Sequence, residues 1–149
     1  MDSEIREILV PVDGSGPASR AAATAVELAR ALEIPLSLFH VFPTSQTDSM
    51  KMAGLVQKQV DQTAQAAAQR AFDRVTGDLK ESGQQLPDKT MMETSVGDPA
   101  EEILAWLEDR PGTLVVMGRR GRSTMASLLL GSVSEKVLRH TRSPVTVVT

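Results

Sequence analysis

Thr113-Leu114-Val115-Val116-Met117-Gly118-Arg119-Arg120-Gly121, followed after nine residues by Gly131-Ser132-Val133-Ser134, is the stretch that organises this chain. Thr113 to Met117 is a short apolar run of strand length, the pattern of a strand buried on both faces. From Ser132 the pattern is helical, with Val133, Val137 and Leu138 on one side. Between the two, glycines at 118, 121 and 131 remove the Cβ at three points of one connection. Such backbone can adopt a positive φ and lets a ligand come close to its N–H groups. The first turn of the helix that follows has N–H groups without intrahelical acceptors, and the helix dipole adds partial positive charge there. A strand, a glycine loop and a helix start in this order form a phosphate-binding loop.

Two other phosphate loops are excluded by the residues present. A Walker A loop needs a Gly-Lys pair, and the chain has none. A dinucleotide fingerprint begins at Gly14-Ser15-Gly16, but Ser19 stands where its third glycine belongs. The second strand ends at His40-Val41-Phe42, without the acidic residue that a ribose would need.

Outward from that loop the same alternation repeats. Ile8 to Val12 is a buried strand closed by Asp13-Gly14-Ser15-Gly16. Pro17 suits a first helical turn, and apolar residues at 18, 21, 22, 25, 28, 29 and 32 mark one helix face. Leu36 to Phe42 reads as the second strand, and the polar residues 43 to 50 read as a mobile connection. Val56, Val60, Ala64, Ala67, Ala71, Val75 and Leu79 then predict a long amphipathic helix over 51–82, ending at Gly83. Thr90 to Val96 is a third, more polar strand suited to a sheet edge. Asp98-Pro99-Ala100-Glu101 opens a helix with Ile103, Leu104 and Leu107 inward. Pro144 to Val148 is the fifth strand. Strands alternating with helical crossovers predict a single α/β domain over 1–149, a Rossmann-like, doubly wound parallel sheet with helices on both faces.

Composition narrows the function. Hydrophobic residues at 41% and charged residues at 23% are ordinary for a soluble domain. The absence of cysteine excludes disulfides and thiolate metal sites. His40 and His140 have no partner at ligand spacing, so no structural metal is expected. The acidic N-terminus is no signal peptide, and no apolar stretch approaches the roughly 18 residues of a membrane span. A net charge of −3 supplies no field for nucleic acid. The cytoplasm is the expected address.

The chain resembles the universal stress protein family, in its ATP-binding branch. That family's motif is Gly, two residues, Gly, nine residues, Gly, then Ser or Thr, and Gly118, Gly121, Gly131 and Ser132 fit it without a gap. Ile8-Leu9-Val10-Pro11-Val12-Asp13-Gly14-Ser15 and Ser143-Pro144-Val145-Thr146-Val147-Val148 look like its first and last strands, so the resemblance runs from about residue 5 to residue 149. It departs at Arg119-Arg120, where members often carry a small residue and a His. The resemblance implies a five-stranded sheet of order 3-2-1-4-5, with the ligand beyond the carboxyl ends of strands one and four. It places Asp13 at the nucleoside, directly or through a metal, Val41 against adenine, and the backbone of Pro11 and Val12 beside it. Ser15 is a further phosphate candidate. Met117, Gly118, Gly121, Gly131, Ser132, Val133 and Ser134 cradle the phosphates of ATP, with Mg2+ carried in on the nucleotide. Arg119, Arg120 and Arg122 supply cations beside them. Ser132-Val133-Ser134-Glu135 also reads as a capping box. Met91, Met92 and Met117 read as packing residues.

A nucleotide-dependent regulatory protein acting through an unidentified protein partner is the first functional expectation. A slow ATPase is the second, although no Asp or Glu occurs between Pro111 and Ser134 to act as a base. A nucleotide-free interaction module is the third. The apolar fifth strand, with no chain left to cover it, is expected to form a homodimer edge to edge.

Overall fold

The computed structural model describes residues 4–120 and 129–149. Its elements are β1 (Glu7–Pro11), α1 (Gly16–Leu32), β2 (Leu36–Pro43), α2 (Thr44–Met52), α3 (Gln57–Glu81), β3 (Thr90–Gly97), α4 (Pro99–Glu108), β4 (Thr113–Gly118), α5 (Ser132–His140) and β5 (Val145–Val148). The strands pair in parallel in the order β3-β2-β1-β4-β5. The most continuously apolar strand takes the centre: Ile8 of β1 stands opposite Leu36 on one side and Leu114 on the other.

Alternate side chains of the central strands leave for opposite faces, and each face has its own core. Ile8, Val10, Leu114 and Val116 pack against α1 and α3. The inner face of α1 is largely alanine (Ala18, Ala21, Ala22, Ala25, Ala29), which lets that helix lie close to the sheet. Leu9, Val115 and Met117 pack against Ile103, Trp106 and Leu107 of α4 and Val137 of α5. Each large aliphatic side chain buried this way contributes about 1.5–3 kcal/mol.

Several local expectations need correction. Residues 43–50 belong to a helix, α2, rather than an irregular connection. It buries only Thr47 and has no apolar stripe to announce it. The long helix starts at Gln57 instead of 51, because Gly54 takes φ +92 and Val56 is extended. Met91 and Met92 are exposed on β3, at the edge of the sheet where packing covers least. Trp106 takes the inward position expected of Leu104, and Leu138 faces outward.

Gly118 ends β4 at a point of close approach. A Cβ there would lie 2.9 Å from the backbone and ring of Pro17, in the first turn of α1. Gly118→Ala is therefore expected to lower unfolding stability by about 1–3 kcal/mol. Gly77, inside α3, has open space at its Cβ position, and Gly77→Ala should raise stability by up to about 1 kcal/mol. Urea denaturation of the two variants checks the contrast. Shifts of the same sign would show that position 118 has no packing need for glycine.

Candidate functional site

β1 and β4 are neighbours whose chains continue to opposite faces of the sheet, β1 into α1 and β4 into α5. A crevice opens beyond their carboxyl ends and encloses about 330 Å3. Pro11, Val12, Asp13 and Ser15 line it from the β1 side, and Val41 from β2. Met117, Gly118, Arg120, Gly131 and residues 132–134 line it from the β4 and α5 side. Arg119 does not. Gly121 and Arg122 lie outside the described residues.

The loop after β1 is held by its own polar groups. Val12 N–H donates to the Phe39 carbonyl at 2.9 Å. Asp13 Oδ1 accepts the Ser15 N–H at 3.0 Å, and Ser15 Oγ accepts the Ala18 N–H at 3.3 Å, capping α1. Gly14 turns the chain between them at φ +83. Asp13 and Ser15 thus shape the loop as well as face the crevice. Ser15 retains its O–H as a donor.

The connection into α5 differs from the expectation in three ways. Positive φ occurs at neither Gly118 nor Gly131; Gly131 is extended at φ −73, ψ 164. Gly118 is glycine because Pro17 leaves no room for a side chain. The helix cap is Gly131 itself and not Ser132, so the capping box is not formed; Glu135 reaches forward to Arg139 instead. Arg119 is held by its backbone, its N–H donating to Val148 O at 2.9 Å and its carbonyl accepting from Gly131 N–H at 2.8 Å. These bonds tie Arg119 to β5 and to the cap of α5.

The first three residues of α5, at 132–134, bring their N–H groups to the crevice wall. At those positions a helix offers no internal acceptor, and the cap residue, Gly131, has no side chain to bond them. The Ser134 hydroxyl is buried and donates to the Gly118 carbonyl at 2.9 Å. Its oxygen is therefore structural, while its N–H belongs to the helix start. The arrangement can hold an anion on backbone donors, with the dipole of α5 behind them.

Sequence reading missed the far wall. Thr63, Ala67 and Arg70 line it from α3, and Gln46 from α2. Their spacing of four and three residues puts the α3 trio on one helix face, a signal that core periodicity obscured. Arg74 Nη1 donates to Gly14 O at 3.3 Å, tying α3 to the β1–α1 loop. Phe39 and His40 also line the crevice. Behind Phe39 stands Trp106, with ring centroids 6.5 Å apart. Its Nε1–H donates to Glu93 at 2.7 Å, and the Arg110 guanidinium lies 4.0 Å above its ring. Among the lining residues Asp13 is the one carboxylate. Among the described residues no three metal-ligating side chains cluster, and no helix is long and apolar enough to cross a membrane.

The model of the universal stress protein family matches residues 4–149. The chain belongs to the universal stress protein family. Universal stress protein YxiE of Bacillus subtilis is 28% identical, over 95% of this chain and 97% of its own. Universal stress protein UspA from Lactobacillus plantarum superposes with a TM-score of 0.78 at 24% identity, over 99% of this chain and 100% of the other. A universal stress protein solved in complex with cAMP superposes with a TM-score of 0.64 at 24% identity, over 98% of each chain. The sheet order and flanking helices are those of the family.

Proposed function

We propose that the crevice binds an adenine nucleotide, ATP with Mg2+, and that the protein acts as a nucleotide-dependent regulatory module of the cytoplasmic stress response. The observation that carries this reading is the glycine-capped N-terminus of α5 on the crevice wall. Phosphates would lie on the N–H groups of residues 132–134, next to Arg120. Adenine would lie against Val41 and the backbone of Pro11 and Val12. Asp13 fits Mg2+ as a single carboxylate ligand, the usual pattern when phosphates and water complete the shell. The neighbour holding cAMP supports the ligand class.

Efficient hydrolysis is not part of this reading. Asp13 is the one lining carboxylate, and one of its oxygens is engaged by Ser15 N–H. No second carboxylate stands ready to activate water.

The binding mode is tested by a proline. Ser132 is the first helical residue, where proline is tolerated, and the extended Gly131 before it suits a pre-proline position. Ser132→Pro deletes one N–H without breaking α5 and should weaken ATP about tenfold or more in calorimetry. Ser132→Ala, which keeps the N–H, should change affinity far less. Equal affinities for both variants and the parent would remove the backbone site.

Phosphate release from ATP in single turnover at saturating protein should run well below about 1 s⁻¹, the low end of typical enzymes. Loss of general-base assistance alone removes about 10²–10⁴-fold of rate. A faster step would make the protein an enzyme.

β5 ends the sheet, with its four residues only half-buried. We propose that two copies pair there. Val147→Asp should shift sedimentation toward the monomer, and a parent chain that is monomeric at micromolar concentration would refute the pairing.

A further inference from the structure

Three arginines form a line leading out of the crevice across the start of α1. Arg70 of α3 lines the crevice together with Asp13 and Ser15. Arg74 is one turn further along the same face of α3, and bonds the Gly14 carbonyl. Arg20 reaches the same place from α1. A Cβ built on Gly16 would lie 3.5 Å from Arg20 Nη1 and 3.6 Å from Arg74 Nη2. Two guanidinium groups from different helices therefore flank one glycine, and the missing side chain leaves the space between them open.

Asp13 and Asp78 are the carboxylates beside these three arginines. Arg74 pairs with Asp78 at 2.8 Å. That pair is internally compensated. Arg20 and Arg70 have no hydrogen-bond or ion-pair partner among the described residues. Folding has gathered three exposed guanidinium groups around one short loop, where an anion can bridge them in place of water. Guanidinium groups suit phosphate in particular, because their planar forks donate two parallel hydrogen bonds.

We infer that Arg20, Arg70 and Arg74 form a second anion subsite, which takes the distal phosphate of a ligand whose nucleoside end occupies the crevice. This rests on the nucleotide reading above and adds what the ligand must carry. The N-terminus of α5 approaches from one face of the sheet, and α1 and α3 cover the other. A monophosphate held at α5 leaves the opposite wall unused. A chain of phosphates extends toward it. The subsite therefore selects nucleoside triphosphates over monophosphates.

Calorimetry with ATP and with AMP tests it on the full chain. The parent should prefer ATP. Arg20→Gln should reduce the ATP-to-AMP affinity ratio about tenfold, and Arg20→Gln/Arg70→Gln further, as expected for lost charge-assisted hydrogen bonds. Both sites are on helices, where glutamine is well tolerated, and circular dichroism verifies the fold. Arg139→Gln, in the last turn of α5, removes the same charge remote from the loop and should leave the ratio alone. A ratio that survives the double variant, or falls equally in Arg139→Gln, overturns the subsite while leaving the nucleotide site standing. A parent that binds neither ATP nor AMP overturns both.

Discussion

The crevice end of this molecule is built on the bare backbone of Gly118. Its empty side accepts the first turn of α1 through Pro17, and its carbonyl accepts the Ser134 hydroxyl from the start of α5. One residue at the tip of one strand thus fixes where two helices begin, one on each face of the sheet. The hydrogen bond is worth about 0.5–1.5 kcal/mol net, less than the overlap a side chain at 118 would create. Excluded volume, more than bonding, sets the width of the crevice.

Polar groups at the site divide into those that shape it and those that face outward. Asp13 Oδ1, Ser15 Oγ and Ser134 Oγ are each engaged by nearby backbone. The lining also carries backbone N–H groups, hydroxyls such as those of Ser15 and Thr63, and the Arg70 guanidinium.

The alternation of strands and helices was legible in the continuous apolar runs that parallel buried strands leave, whereas the sheet order and the residues named on the β1, β4 and α5 sides of the crevice came from the resemblance carried by the long glycine spacing. What escaped notice did so for identifiable reasons. The residues of α2 carry no apolar periodicity, and side-chain bonds such as Thr47 to Thr44 and Ser49 to Ser45 accompany the helix locally. Ser132 matched a capping box in type and spacing, yet Gly131 is the cap, and neighbouring backbone bonds decide which residue starts the helix. Arg70 and Thr63 lie on a helix whose dominant stripe belongs to the core, and only the approach of α3 to the β1–α1 loop shows that they line a cavity.

The chain has one tryptophan and no tyrosine. That tryptophan, Trp106, touches Phe39, which forms part of the crevice wall, while Glu93 and Arg110 fix its polar edge and its face. The molecule consequently carries a single tryptophan fluorophore one side chain removed from the crevice. Its emission is free of overlap from any tyrosine, and depends on the rigidity and charge of surroundings that include the crevice wall. A change at the crevice wall can be followed optically on the native chain, with no label and no altered residue.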